Sequence, residues 1–275
     1  TFYIKKACVK LGLYYEKNYQ LIDAFYYDNK TFKIAVSSKD TLRAGKSLLR
    51  MANMQTSLGD YSGSKITAID GIKYIKKTKD IRTLSGLYHS ISVANRLQDN
   101  YTEALKYNAK ALSLGKDSLS IQKIRIKNIL IFKNTQALIL ENQKKYTEAI
   151  TIFKKILANP AIKKDQNEYA RVLNNLGYTL FLKDNKSKES KKMMYKSLEI
   201  REQSKDTEGV FASHIDMTNY FLKTDKARAL EHANIAYQTA KKLKSLTYIL
   251  EALGLIFELK EDVQQEAIEY HTTQL

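Results

Sequence analysis

The sequence predicts an all-α fold, a solenoid of about seven helix-turn-helix units. Three observations predict it. One proline and ten glycines in 275 residues are too few for the strands and tight turns of a β-rich chain. A phrase recurs, NYTEALKYNAKAL at Asn100 to Leu112 and KYTEAITIFKKIL at Lys145 to Leu157. A small residue also returns at a nearly fixed interval, as Gly12, Ala52, Ser92, Ala137, Gly177, Met217 or Thr218, and Gly254, in steps of 40, 40, 45, 40, about 40 and about 37 residues. Self-similarity at such a period marks stacked units that cannot bury their apolar faces alone.

Aligned on the small residue, the chain divides into helix pairs at 4–40, 41–82, 83–124, 125–167, 168–207, 208–244 and 245–275, one array without a dividing linker. The first pair carries Leu11-Gly12-x-x-Tyr15. The second turns through LGDYSGSKITAIDGI (Leu58 to Ile72), and the third and fourth through the repeated phrase. Small anchors let the two helices of a pair approach, Ala104, Ala149 and Ala229 answer from the second helix, and Tyr61, Tyr101 and Tyr146 fill the wedge between units. The excess over the usual repeat of roughly 34 residues falls in polar connectors such as Ser113 to Lys123, Leu157 to Glu168 and Arg201 to Val210. These read as second helices extended by a turn, one of them stopped by Pro160. The fifth pair holds LGYTL (Leu176 to Leu180), the sixth DKARALEHANIAYQTA (Asp225 to Ala240) and the seventh LGLIF (Leu253 to Phe257). The final stretch, Glu266 to Leu275, keeps apolar residues in helical phase. It therefore leads one to expect further helix in the intact protein or pairing with a second copy, a homodimer. A start at Thr1 reads as a piece of something longer.

Leu11-Gly12-x-x-Tyr15, with its variants at Leu176 and Leu253 and the small residues of the second helices, resembles the tetratricopeptide repeat (TPR), which implies a right-handed TPR superhelix with a concave groove. LGDYSGSKITAIDGIKYI, ARVLNNLGYTLFL and KSLEIREQSKDTEGVFASHIDMTNYFL further resemble the TPR sensor regions of bacterial membrane-anchored histidine kinases. That resemblance implies a non-catalytic protein- or peptide-binding scaffold, the sensor portion of a two-component signalling protein on the periplasmic side of a bacterial membrane. Contact with the membrane would then come only through segments outside this chain. The alternative is a cytoplasmic TPR adaptor or peptide-regulated regulator using the same groove.

Little in the sequence points to chemistry. The net charge of +17 invites a nucleic-acid reading, but the lysines are spread along the chain without an Arg-rich arm or a reading helix, so no nucleic-acid partner is expected. The one cysteine, Cys8, excludes an internal disulfide or Cys-based zinc site and reads as a buried, inert thiol. His89, His214, His232 and His271 lie far apart in sequence, so no metal site is expected. GDYSGS (Gly59 to Ser64) lacks the Lys-Ser/Thr of a phosphate loop. Acidic pairs such as Glu199 and Glu202 read as solvated ion pairs. The chain is expected to be no enzyme and to need no cofactor.

Function is therefore expected in the groove, lined by the first helix of each pair. Register places Lys46, Arg50, Asn53, His89, Arg96, Asn134, Arg171, Asn174 and Tyr178 there. Asn53, Asn134 and Asn174 are expected to hold an extended peptide backbone, since an amide both donates and accepts. Lys46, Arg50, Arg96 and Arg171 would favour an acidic segment. The two-carboxylate clamp of some TPR co-chaperones is incomplete, because Lys10, Ser90 and Thr135 stand where its pattern needs other residues.

Overall fold

The computed structural model describes residues 2–117 and 122–260. Those residues form thirteen α-helices, a short 3-10 turn at Ile162–Lys164 and no strand. The helices are α1 (Phe2–Lys17), α2 (Leu21–Ser37), α3 (Thr41–Ser57), α4 (Tyr61–Ile75), α5 (Ile81–Leu97), α6 (Tyr101–Asp117), α7 (Gln122–Asn142), α8 (Tyr146–Leu157), α9 (Gln166–Lys183), α10 (Lys188–Gln203), α11 (Thr207–Phe221), α12 (Lys226–Leu243) and α13 (Leu246–Leu259). The chain forms two compact units, Thr1–Lys144 and Lys145–Leu275. No helix among the described residues is long and apolar enough to cross a membrane. The expected final helix at Glu266 to Leu275, and His271 with it, lie outside the described residues.

The turns explain how a glycine-poor chain can reverse direction so often. Tyr19, Lys39, Asp99, Lys144, Lys205 and Lys244 all take positive φ, and Gly59 does the same at +83°. The left-handed residue ends one helix, and in most of these turns the next residue caps the following helix. The cap is usually an aspartate. Asp40, Asp60, Asp80, Asp165, Asp206 and Asp225 each accept from the backbone N–H three residues on, and Ser187 and Ser245 do so with a hydroxyl. Each bond satisfies a donor that the first turn leaves unpaired. The expected break near Pro160 is present, since α8 ends at Leu157 and the 3-10 turn follows.

Within each unit the helices pack in consecutive pairs, α3 with α4, α5 with α6, α9 with α10 and α11 with α12 most extensively. Small residues set the distance. Ala52, Ala68, Ala94, Ala104, Ala137, Ala149 and Ala170 are fully buried, and a Cβ added at Gly177 would lie 2.8 Å from Met194 Cγ. Gly45, which the repeat register did not single out, is tighter, its notional Cβ 2.3 Å from Ile75 Cγ1. Gly254 differs from the other anchors, for a Cβ there would meet nothing within 4 Å among the described residues. Between these contacts sit Leu87, Ile91, Ile72 and Ile75 in the first unit and Met194, Leu198 and Met217 in the second. Cys8 is buried as expected of an inert thiol.

Candidate functional site

In the first unit α5 touches both α3 and α7, whereas α2, α4 and α6 make their substantial contacts with first helices. Helices on the inner side of a curved stack lie closer than those outside, so α3, α5 and α7 form the inner layer of this unit. Polar bonds stitch that layer. Lys5 Nζ meets Asp40, the cap of α3, at 2.8 Å, and Lys46 Nζ meets Asp80, the cap of α5, at 3.0 Å. Ser90 Oγ lies 2.6 Å from Asn53 Oδ1, His89 Nε2 lies 2.8 Å from Thr135 Oγ1, and Arg96 Nη1 donates to Asn142 Oδ1 at 3.1 Å. The His89 ring also rests 4.8 Å from that of Phe132.

Arg50 lies at the centre of an ionic cluster. Its Nε donates to Asp28 Oδ2 at 2.8 Å, and its Nη2 lies 3.1 Å from Glu16 Oε2. Asp28 is only 2% exposed. Burial pushes its carboxyl up to about 6, Arg50 pulls it back, and the Glu16 charge adds to the rise. Gly12 makes room for the cluster, since a Cβ there would stand 3.2 Å from Asp28 Oδ1 and 3.3 Å from Arg50 Nη2. The glycine read from the repeat phrase as a helix-approach anchor thus serves a charged cluster as well as apolar packing.

In the second unit Arg171 bonds Glu168 one turn away, and Asn174 Nδ2 donates to Asp216. Ser213 Oγ lies 3.5 Å from Asn174 Oδ1. Beneath them Arg201, 3% exposed, donates Nη1 to Gly209 O at 2.8 Å and to Ser213 Oγ at 2.6 Å. Burial holds the Arg201 guanidinium below its ordinary pKa, against the pull of Asp206 and Asp216. Tyr178 belongs to a ring cluster, with Phe181 5.9 Å from it and Tyr220 4.7 Å from Phe181.

These placements correct two expectations. Asn134 and Asn174 are 0% and 1% exposed, so neither presents its amide to a peptide backbone. Both stand three residues before their anchors, Ala137 and Gly177, and on a helix that spacing returns to the anchor's own inward face. Asn53, one residue after its anchor, is exposed. No bond among the described residues uses its Nδ2. The expected row of cations is likewise largely neutralised, with Lys46, Arg50 and Arg171 on carboxylates of the chain itself. Arg96 makes no such pair among the described residues.

The sequence reading missed three features. Asp28 and Thr31 sit on the buried stripe Ala24, Asp28, Thr31, Ala35, where a polar residue in apolar phase is a legible signal. Arg201 carries no such signal. His214 and His232, distant in sequence, are brought together with Nδ1 to Nδ1 at 2.9 Å. No third ligand joins them, and the described residues contain no group of three or more His, Cys, Asp or Glu able to hold a metal.

No protein-family model matches the chain, and no curated protein matches it by sequence. Solved structures do resemble it. The apo form of RapI superposes with a TM-score of 0.72 at 14% identity, over 88% of this chain and 84% of that one. A Rap protein complexed with Competence and Sporulation Factor gives 0.66 at 13%, over 95% and 74%. A putative kinesin light chain with nearly identical TPR-like repeats, from Podospora anserina, gives 0.53 at 12%, over 73% and 96%. At these identities the likeness is one of fold, and the chain has a TPR-type all-α repeat fold.

Proposed function

We propose that the chain is a non-catalytic scaffold that binds an extended peptide or protein segment on the inner helix layer of its first unit. The observation that carries this reading is the layer itself. The side chains from α3, α5 and α7 there are polar, bonded to one another and so held in fixed positions, while Asn53 leaves an amide donor pair unused. Fixed polar groups on rigid helices bind with little ordering cost. The internal ion pairs of Lys46 and Arg50 remove the reason for a general preference for acidic ligands.

Two placements of such a scaffold are open to test. The sequence phrases favour the sensor portion of a bacterial two-component protein, on the outer side of the membrane. The similar structures favour a peptide-regulated regulator, since one of them is a Rap protein complexed with Competence and Sporulation Factor. Both use the same face. Selection of a displayed random dodecapeptide library on the chain tests the reading common to both. Enriched peptides should compete with one another and slow amide exchange in α3, α5 and α7. Protection confined to the second helices of the pairs, or no enrichment, would overturn it.

A further inference from the structure

We infer that the inner layer of the first unit takes one carboxylate of its bound segment at Arg96, with Asn142 as the second donor. This rests on the binding face proposed above and names the chemistry of one position on it. Four cations bridge neighbouring elements along that layer, namely Lys5, Lys46, Arg50 and Arg96. Three of them end on carboxylates of the chain, at 2.8 to 3.0 Å. Arg96 ends on a neutral acceptor, Asn142 Oδ1, and forms no ion pair among the described residues. Its Nε is buried without a hydrogen-bond partner, and no bond among the described residues uses its Nη2.

A partly desolvated guanidinium with unused donors is costly until an anion arrives. Burial draws the Arg96 guanidinium below its ordinary pKa, with the charges of Glu141, Tyr61 and Tyr101 acting in the opposite direction. The side chain is only part-buried and Asn142 is exposed, so a ligand reaches both. Asn142 Oδ1 accepts from Arg96 Nη1, which leaves the Asn142 Nδ2 to donate to a second oxygen of the same anion. A planar carboxylate matches the fork of an arginine.

The test is a side-chain NMR titration of 15N-arginine-labelled protein with sodium acetate, with inorganic phosphate and with sodium chloride as separate arms. The Arg96 Nε–Hε signal should shift saturably with acetate and not with chloride, while those of Arg50 and Arg171 stay in place. The acetate response should vanish in Arg96→Gln and weaken by about tenfold in Asn142→Ala. Should Arg96→Gln fail to fold, the wild-type titration and Asn142→Ala decide. An Arg96 signal unmoved by acetate, or moved equally by chloride, overturns the inference, as does tighter binding of phosphate. No peptide enters this experiment, so its failure is distinct from failure of the peptide selection.

Discussion

His214 and His232 face each other through their Nδ1 atoms at 2.9 Å, across the buried contact of α11 with α12. One ring must donate and the other accept, so two imidazolium rings cannot share this geometry. Phe221 stacks on His232 at 5.7 Å, and Tyr195 meets it edge-on. Lys191 and Arg228 lie over the ring of Phe221, and at His232 the Glu231 carboxylate favours the protonated ring while Arg228 opposes it. Burial, with the neighbouring ring, pushes His214 down to about 4, and burial also lowers His232.

The sign of the pH dependence follows. The unfolded chain takes up these protons as pH falls through about 6.5, while folded His214 resists until about 4. The pair's contribution is therefore fully present above the unfolded value and lost as pH falls toward the folded one. Denaturant titrations should show wild type losing roughly 2 kcal/mol between about pH 7 and pH 5 from this source. His214→Gln should flatten that loss, and an unchanged slope in the variant would show that the pair is not the origin.

The Arg50 cluster has the opposite sign. Folded Asp28 titrates near 6, above its unfolded value of about 3.9, so its ionised form costs stability that is recovered as pH falls through that window. Removing the counter-charge should enlarge the cost. Arg50→Met should destabilise the protein by about 3 kcal/mol at alkaline pH and by clearly less near pH 5, where Asp28 takes up a proton. A cost independent of pH would place the effect in packing instead.

Six non-glycine residues pay left-handed backbone strain at the turns. Lys39→Gly and Lys205→Gly should each raise stability by about 0.5 to 1 kcal/mol, the relief of strain exceeding the added freedom of the unfolded chain. Thermal unfolding of the two variants checks this, and a lowered midpoint in both would contradict it.

Close helix approach gives a sharper test. Gly45→Ala sets a methyl 2.3 Å from Ile75 Cγ1, and Ile75 is 1% exposed. A loss of about 1 to 3 kcal/mol is expected. Ala137→Leu, at a wholly buried anchor, should cost a similar amount. Gly254→Ala should be nearly neutral by comparison, and equal losses at all three positions would contradict the packing account.

The fold was legible because a repeat imposes the same packing demand many times. Ala52, Ala137 and Gly177 could be read as contact points from their interval alone, and helices begin at Phe2, Thr41, Ile81, Gln122, Gln166, Thr207 and Leu246, each within a few residues of the expected starts. The turns were less legible, since Lys39 and Lys205 adopt a conformation that their residue type does not announce. The site was legible only at the level of which helices face inward. Register against the anchor separated a presented asparagine from a buried one, Asn53 standing one residue after Ala52 and Asn174 three before Gly177. Which cations would be self-neutralised depended on partners distant in sequence, Asp28 for Arg50 and Asp80 for Lys46. Neither partnership leaves a local pattern to read.

The central claim is that binding resides on the inner layer of the first unit. Calorimetric titration of one selected peptide against wild type, Asn53→Ala/Arg96→Gln and Lys73→Gln/Lys106→Gln tests it most directly. Lys73 and Lys106 are exposed on α4 and α6, in pairs with Asp70 and Glu103, where such pairs contribute little. The inner-layer variant should bind at least about tenfold more weakly, and the outward variant should match wild type. Equal weakening in the two variants, or an effect confined to the outward pair, would contradict the account.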